Sequence, residues 1–80
     1  MSSIKPVHMT RTVYRWLQRH QDISEQWILS VVTWTEHPLE RDDYTMLKYT
    51  KVGGRIKKVT LWIRNYSWRY LVYKIHMENV

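Results

Sequence analysis

The hydrophobic period of this chain changes once, between Pro38 and Tyr44, and this change limits the fold more than any other feature. Before Pro38, apolar residues recur at helical spacing. From Tyr44 onward, apolar and polar residues alternate, which is the period of a strand with one buried face. This order predicts an α+β domain: two N-terminal helices packed on one face of an antiparallel β-meander of three or four strands.

Local signals place the ends of the two helices. Thr10 is positioned to cap the first helix, and residues 22–25 (Asp-Ile-Ser-Glu) have the form of a capping box for the second. Pro38 stops the second helix, because the residue before a proline is driven out of the helical conformation. Residues 37–43 are therefore predicted to form an acidic loop.

Three strands are predicted after this loop. They span Tyr44–Lys51, Arg55–Arg64 and Trp68–Met77, and they are separated by a glycine-bearing turn at 52–54 and a second turn at 65–67. The first ten residues are expected to form an arm or a short edge strand. No repeat or linker interrupts this order, so residues 1–80 are predicted to form a single domain.

Composition removes several classes of protein. The chain has no cysteine, which excludes a disulfide scaffold, a thiolate metal site and a cysteine nucleophile. Its apolar runs are too short for a membrane span, and its first residues lack the apolar stretch of a signal peptide. We therefore expect a cytoplasmic protein with no membrane partner.

The charge of the chain is unevenly distributed. The net charge is +6, and the segment from Tyr44 to Met77 carries eight lysine and arginine residues and no acidic residue. Most of the acidic residues lie between Asp22 and Asp43. When nearly half of a chain carries only positive charges, its electrostatic field indicates a polyanionic partner, such as nucleic acid or an acidic protein. A generic basic surface is the alternative.

Alternation assigns the strand residues to two faces. The first face is apolar and is predicted to pack on the helices; it contains Val59, Leu61, Ile63, Leu71, Tyr73, Ile75 and Met77. The second face mixes aromatic rings with cations; it contains Lys58, Thr60, Trp62, Arg64, Trp68, Tyr70, Val72, Lys74 and His76. Single-stranded nucleic acid is held by rings that stack on bases and by cations that meet phosphates. Packing within the domain and a homodimer seam through Trp62, Trp68 and Tyr70 are the alternatives for the second face.

The candidate nucleic-acid-binding residues are cations and aromatic rings. They are Arg15, Arg19, Lys48, Arg55, Lys58, Trp62, Trp68, Tyr70 and Lys74. Arg15 and Arg19 belong to one stripe of arginines on the first predicted helix. The sequence thus predicts contacts to nucleic acid from this stripe and from the strands.

Histidine and arginine together supply what metal-free RNA cleavage requires. A group with a near-neutral pKa moves protons, and a cation stabilises the charge that develops on the phosphate. His76 lies near Lys74 on the predicted basic face, and His8 precedes the arginine-bearing helix. These two histidines and Arg64 are the candidate catalytic residues, with a structural role as the alternative for each histidine. No metal or cofactor site is predicted, because cysteine is absent and the acidic residues gather in one loop.

Several strings of the sequence resemble a known family. The stretch HMTRTVYRWLQRHQDISEQWILSVVTWTEHP is similar to the opening of small RelE-like domains, where a His-led segment is followed by an Arg-bearing helix, a second helix and a proline stop. The strings MLKYTKVGGRIKKVTLWI and RYLVYKIH resemble the paired strands that follow. His8 matches the leading histidine, Arg19 the helix-end arginine and Pro38 the stop. The segment from Arg19 to Ile23 is two residues longer than the family pattern.

This resemblance covers nearly the whole chain and implies a member of the barnase–colicin–RelE group of ribonucleases. Such a protein is a toxin-like, metal-independent endoribonuclease that cleaves RNA on the exposed face of its sheet and is neutralised by a small acidic antitoxin. The expected function is therefore nucleic-acid binding, RNA before DNA, with this cleavage activity. The alternative is a non-catalytic adaptor, of phage, viral or mobile-element type, that binds nucleic acid or an acidic protein, as a monomer or a homodimer.

Overall fold

In the computed structural model, which describes residues 5–34 and 42–80, a short strand and two helices precede three long strands. The elements are β1 (Val7–Met9), α1 (Arg11–Arg19), α2 (Glu25–Trp34), β2 (Asp43–Val52), β3 (Arg55–Asn65) and β4 (Tyr70–Asn79). The strands form one sheet in the order β1-β4-β3-β2. The predicted α+β class, with both helices before the long strands, is confirmed.

The sheet is mixed, which corrects the prediction of a purely antiparallel meander. β2, β3 and β4 pair antiparallel, as predicted. β1 runs parallel to β4 along its outer edge, with Met9 opposite Val72. The pairing is extended by the Tyr70 amide, which donates to the Pro6 carbonyl at 2.9 Å, and by the Thr10 amide, which donates to the Val72 carbonyl at 3.1 Å. Parallel strands need a long connection, and the helices and β2–β3 supply it.

The helix starts differ in detail from the prediction. The side chain of Thr10 does not cap α1; its hydroxyl donates to a carbonyl oxygen of β4 at 3.4 Å. α2 is capped by Ser24 rather than Asp22, because the serine hydroxyl accepts a hydrogen bond from the Trp27 amide at 3.0 Å. The start lies two residues later than predicted since Ile23 is buried in the core, and the chain turns there before the helix begins.

The helices are short. α1 has nine residues and α2 has ten, ending at Trp34. The predicted stop at Pro38 and residues 37–41 of the predicted acidic loop lie outside the described residues. Within the described part of the chain, no helix has the length and apolar character that crossing a membrane requires.

One apolar cluster joins the helices to the sheet. Its fully buried members are Val13 of α1, Ile28 and Val32 of α2, Val59, Leu61 and Ile63 of β3, and Val72 of β4. Burial of each such side chain stabilises the fold by about 1.5–3 kcal/mol. The row of three on β3 therefore decides which side of this strand points inward, and the predicted burial of these three residues is confirmed. We call this side of the sheet the Leu61 face.

The turn between β2 and β3 is a two-residue glycine turn. Gly53 and Gly54 have φ angles of +59° and +80°, which residues with a Cβ atom disfavour and a type I′ hairpin turn requires. Val52 lies opposite Arg55 and closes the hairpin. The predicted turn is confirmed, and its geometry fixes the register of the two strands.

β4 contains a bulge that the alternation in the sequence does not reveal. Trp62 of β3 lies opposite Lys74, but the next residue of β3, Ile63, lies opposite Val72. Tyr73 is therefore an extra residue in β4, and the faces of β4 change sides at this point.

The face prediction for β4 is confirmed after the bulge and wrong before it. Ile75 and Met77 lie on the Leu61 face, as predicted. The four residues from Tyr70 to Tyr73 exchange faces: Tyr70 and Val72 pack in or against the core, whereas Leu71 and Tyr73 lie on the opposite side. An inserted residue shifts the period of two by one, so every side chain on one side of it is misassigned by simple alternation.

Replacement of the central core residue tests the burial of β3. We expect Leu61→Ala to lower the free energy of unfolding by about 2–5 kcal/mol, because the substitution leaves a cavity in a fully buried row. Leu47→Ala is the matched control, since Leu47 is 56 % exposed and should change stability by no more than about 0.5 kcal/mol. Urea unfolding of both variants measures the difference. Equal losses would contradict the assignment of the two faces.

Candidate nucleic-acid interface

The side of the sheet opposite the Leu61 face carries most of the candidate residues, and we call it the Trp62 face. Strand register gives its members: His8 of β1; Leu71, Lys74, His76 and Glu78 of β4; Ile56, Lys58, Thr60, Trp62 and Arg64 of β3; and Asp43, Thr45, Leu47, Tyr49 and Lys51 of β2. Several large apolar side chains on it are more than half exposed, including Leu47, Tyr49 and Ile56. Exposed apolar groups that share one face are typical of an interaction surface.

The centre of the Trp62 face is a tryptophan paired with a lysine. Trp62 and Lys74 lie directly opposite each other on neighbouring strands, and Nζ of Lys74 lies 4.7 Å from the centroid of the indole ring. This distance is within the range of a cation–π interaction. A shallow hollow beside the indole is also lined by Thr45, Tyr73 and the acidic residue Asp43. The site therefore offers a flat aromatic surface next to a positive charge.

Arg64 lies two positions further along β3 and is held by three neighbours. Its guanidinium carbon lies 5.2 Å from the centroid of the Tyr73 ring, and Nε lies 3.6 Å from Oδ1 of Asp43. A hydrogen bond to the side chain of Tyr66 raises the pKa of Arg64 most, and the charge of Asp43 raises it further. These contacts orient the guanidinium while 52 % of the side chain stays exposed.

The connection between β3 and β4 forms a second aromatic cluster with a cation. We call it the turn cluster, and it consists of Tyr66, Trp68, Arg69 and His8. The rings of Tyr66 and Trp68 are stacked, with centroids 6.1 Å apart and 26° between their planes. The guanidinium of Arg69 lies 4.4 Å from the centroid of Trp68 and 5.4 Å from that of Tyr66. Trp68 remains 59 % exposed, so its ring is accessible to a ligand.

Strand β1 brings His8 into the turn cluster. Nη1 of Arg69 lies 3.1 Å from Nδ1 of His8, and the imidazole contacts the indole of Trp68 edge-on with centroids 6.5 Å apart. Because an arginine N–H can only donate, Nδ1 of His8 accepts, and the proton of the neutral ring is on Nε2. The cluster thus places two hydrogen-bond donors, the guanidinium of Arg69 and Nε2–H of His8, beside the exposed indole of Trp68.

The cations of this surface differ in their acidic neighbours. Lys58 and Glu78 form an ion pair at 2.9 Å, which raises the pKa of Lys58 and lowers the pKa of Glu78. Among residues 5–34 and 42–80, Lys74 and Arg69 have no carboxylate within ion-pair distance and contact aromatic rings instead. The charges of these two residues are therefore available to an anionic ligand.

Four candidate binding residues lie away from the Trp62 face. Arg15 and Arg19 are exposed on α1, and Arg55 closes the turn between β2 and β3. Lys48 lies opposite Val59 and therefore on the Leu61 face. The structure does not gather these residues with the central tryptophan.

Tyr70 also lies on the Leu61 face, because it precedes the bulge. Its ring packs against the core, and Nζ of Lys5 lies 4.2 Å from the ring centroid. The predicted homodimer seam through Trp62, Trp68 and Tyr70 therefore does not form one surface.

The three candidate catalytic residues do not form one constellation. His8 and Arg64 lie on either side of Leu71, in one row across the sheet. Their backbones are about 10 Å apart, which is twice the usual spacing of neighbouring strands. His76 lies opposite Thr60, and this places it about 13 Å along the strand direction from Arg64 at the usual rise per residue.

Three side chains of this surface are absent from the sequence prediction: Tyr66, Arg69 and Tyr73. Tyr73 is assigned to the core by alternation and reaches the Trp62 face only through the bulge. Tyr66 and Arg69 lie at a predicted turn and next to it, where alternation assigns no face. The signal that could have identified them is the concentration of two rings and an arginine in residues 66–69.

The other two histidines have no place on this surface. His20 ends α1, where its ring stacks on Trp16 at 3.9 Å between centroids and its Nδ1 lies 2.9 Å from the Trp16 carbonyl oxygen. His37 lies outside the described residues. In the part of the chain that the structure describes, no three His, Asp or Glu side chains are grouped so that they could hold a metal ion.

Comparison with known proteins gives no relative for this chain. No family model, no curated protein and no solved structure matches it.

Proposed function

We propose that this domain binds single-stranded nucleic acid, RNA in preference to DNA, on the Trp62 face and the adjoining turn cluster. The proposal includes the packing of both helices on the Leu61 face, which leaves the opposite face to the ligand. RNA is favoured because its single-stranded loops and ends present unstacked bases to aromatic side chains.

The observation that carries this proposal is the repeated pairing of a ring with a cation along one surface. Lys74 with Trp62, Arg64 with Tyr73, and Arg69 with Trp68 follow one another from the centre of the sheet to the turn. Rings provide stacking surfaces for bases, and cations provide partners for the phosphates between them. The ring of Tyr70 on the Leu61 face also contacts a cation, so the support for a ligand comes from the succession of three such pairs along one accessible surface.

The first test removes the central ring. We expect Trp62→Ala to weaken binding of a single-stranded RNA oligonucleotide by about 1–3 kcal/mol, the contribution of one stacked base. Tyr14→Ala is the matched control, because Tyr14 is an exposed ring on α1 rather than on the sheet. Fluorescence anisotropy of a labelled oligonucleotide measures the affinities, and thermal melts verify folding. If Trp62→Ala melts as early as Leu61→Ala yet binds normally, the binding surface is wrongly placed.

The second test uses salt. Affinity for single strands should fall with salt concentration, and Lys74→Gln should make the log–log slope shallower by about 0.7 if this lysine neutralises one phosphate. Lys48→Gln is the control with the same change of charge on the Leu61 face, and its slope should equal that of the unmodified protein. Equal slopes for all three proteins would contradict a phosphate contact at Lys74.

A second candidate function, metal-independent cleavage of RNA, is supported by the contact of His8 with Arg69. The histidine supplies a group that transfers protons, and the arginine beside it is a cation that stabilises charge on a phosphate. The resemblance to RelE-like ribonucleases points to the same chemistry and to a small acidic antitoxin as partner. Arg64 and His76 are the further catalytic candidates on the same face.

Incubation of the protein with RNA in excess EDTA tests this second candidate. We expect cleavage, and we expect His8→Ala to slow it about 100-fold or more, the usual contribution of a general acid or base. His76→Ala is the comparison: a smaller loss of cleavage than that caused by His8→Ala would assign the proton transfer to His8, which contacts Arg69, rather than to His76, which is distant from it. If the protein binds the RNA but does not cut it, the cleavage proposal is wrong and the alternative function, a non-catalytic adaptor, is favoured.

A further inference from the structure

The outer edge of β2 is a second surface with a specific chemistry. β2 is the last strand in the sheet order and has ten residues. Within the described residues, no strand pairs with its outer side. Leu47 and Tyr49 near its centre are 56 % and 63 % exposed. A long edge strand with exposed apolar side chains is a template for another strand.

The hairpin geometry determines which backbone groups of β2 point away from β3. In a two-residue hairpin the closing pair is hydrogen-bonded, and here that pair is Val52 with Arg55. At the other end, the Asp42 carbonyl accepts from the Asn65 amide. Since bonding alternates along a strand, the even-numbered residues of β2 bond to β3. The odd-numbered residues from Asp43 to Lys51 therefore direct their N–H and C=O groups outward.

We propose that a second copy of this chain pairs antiparallel with β2 along this edge, with the two-fold axis at Leu47. Outward-pointing residues can pair only with each other, so odd positions lie opposite odd positions. This register sets Leu47 opposite its own copy and Asp43 of each chain opposite Lys51 of the other. The two ends of the strand thus carry complementary charges at the distance that self-pairing requires.

Neighbouring registers lack this complementarity. A two-fold axis at Lys48 sets that lysine opposite its own copy, and like charges in direct opposition destabilise a pair of strands. An axis at Tyr49 sets Lys51 opposite Leu47 and leaves Asp43 beyond the end of the paired region. The charges of β2 therefore select one alignment among those that the backbone permits.

The dimer would be a continuous eight-stranded sheet. Side chains of paired residues lie on the same face, so the Trp62 faces of the two copies would lie side by side. This arrangement differs from a dimer seam on the Trp62 face, which would cover the rings. It does not depend on the proposed nucleic-acid binding, since the edge and the face are separate surfaces.

Sedimentation velocity over a range of protein concentrations tests the proposal. We expect a monomer–dimer equilibrium that Lys51→Asp weakens about tenfold or more, because each acid would then face Asp43 of the other copy. Lys51→Arg keeps the positive charge opposite Asp43 of the other copy, so it should leave association unchanged. Lys74→Asp is the control, since it makes the same change of charge on β4, away from the edge.

A backbone variant keeps the test independent of charge. Leu47→Pro removes an N–H that points outward, so the pairing of β2 with β3 is retained and association is lost. A circular dichroism melt verifies that this variant is folded. A second backbone variant, Tyr49→Pro, removes another outward N–H and should act in the same way. A monomer at about 1 mM, or a dimer that the charge and proline variants leave unchanged, would overturn the proposal.

Discussion

The burial of three side chains on the central strand determines the rest of the surface. Val59, Leu61 and Ile63 are fully buried and belong to one apolar cluster that also contains residues of both helices. Since side chains alternate along a strand, this burial forces Trp62 and Arg64 to the opposite side. A shift by one residue would place the indole and the guanidinium in the core, which the cost of burying an unpaired charge prevents. Hydrophobic burial on one side of β3 is therefore sufficient to place Trp62 and Arg64 on the opposite side of the sheet.

Sequence reasoning predicts β3 and its hairpin well because their signals are local. The two glycines specify a turn with positive φ angles, and the strong alternation of β3 specifies its faces. The same reasoning fails at the start of β4, where Tyr73 is inserted into the ladder. A bulge is a property of the pairing between two strands, so the sequence of β4 alone contains no sign of it. The assignments of Tyr70, Leu71, Val72 and Tyr73 are wrong for this single reason.

The turn cluster could not be predicted from the sequence for a different reason. His8 meets Arg69 only because β1 pairs in parallel with β4, and a three-residue strand carries too little pattern to reveal its partner. The prediction that His8, Arg64 and His76 act together rests on chemistry without distances. The register separates His76 from the other two and supplies Arg69 as the nearer cation. The residue types indicate what chemistry the site could have. Which residues lie close together depends on how the strands pair.

The contact between the first and last strands has a consequence for the order of folding. His8 and Arg69 are 61 residues apart in sequence, whereas the hairpins of β2, β3 and β4 join neighbouring segments. Contacts between distant segments form late, because a long loop must close first. During synthesis β1 has to wait until β4 has left the ribosome. His8 therefore joins the turn cluster as one of the last events in the folding of this domain, so a ligand that needs His8 beside Arg69 can bind only after β1 has paired with β4.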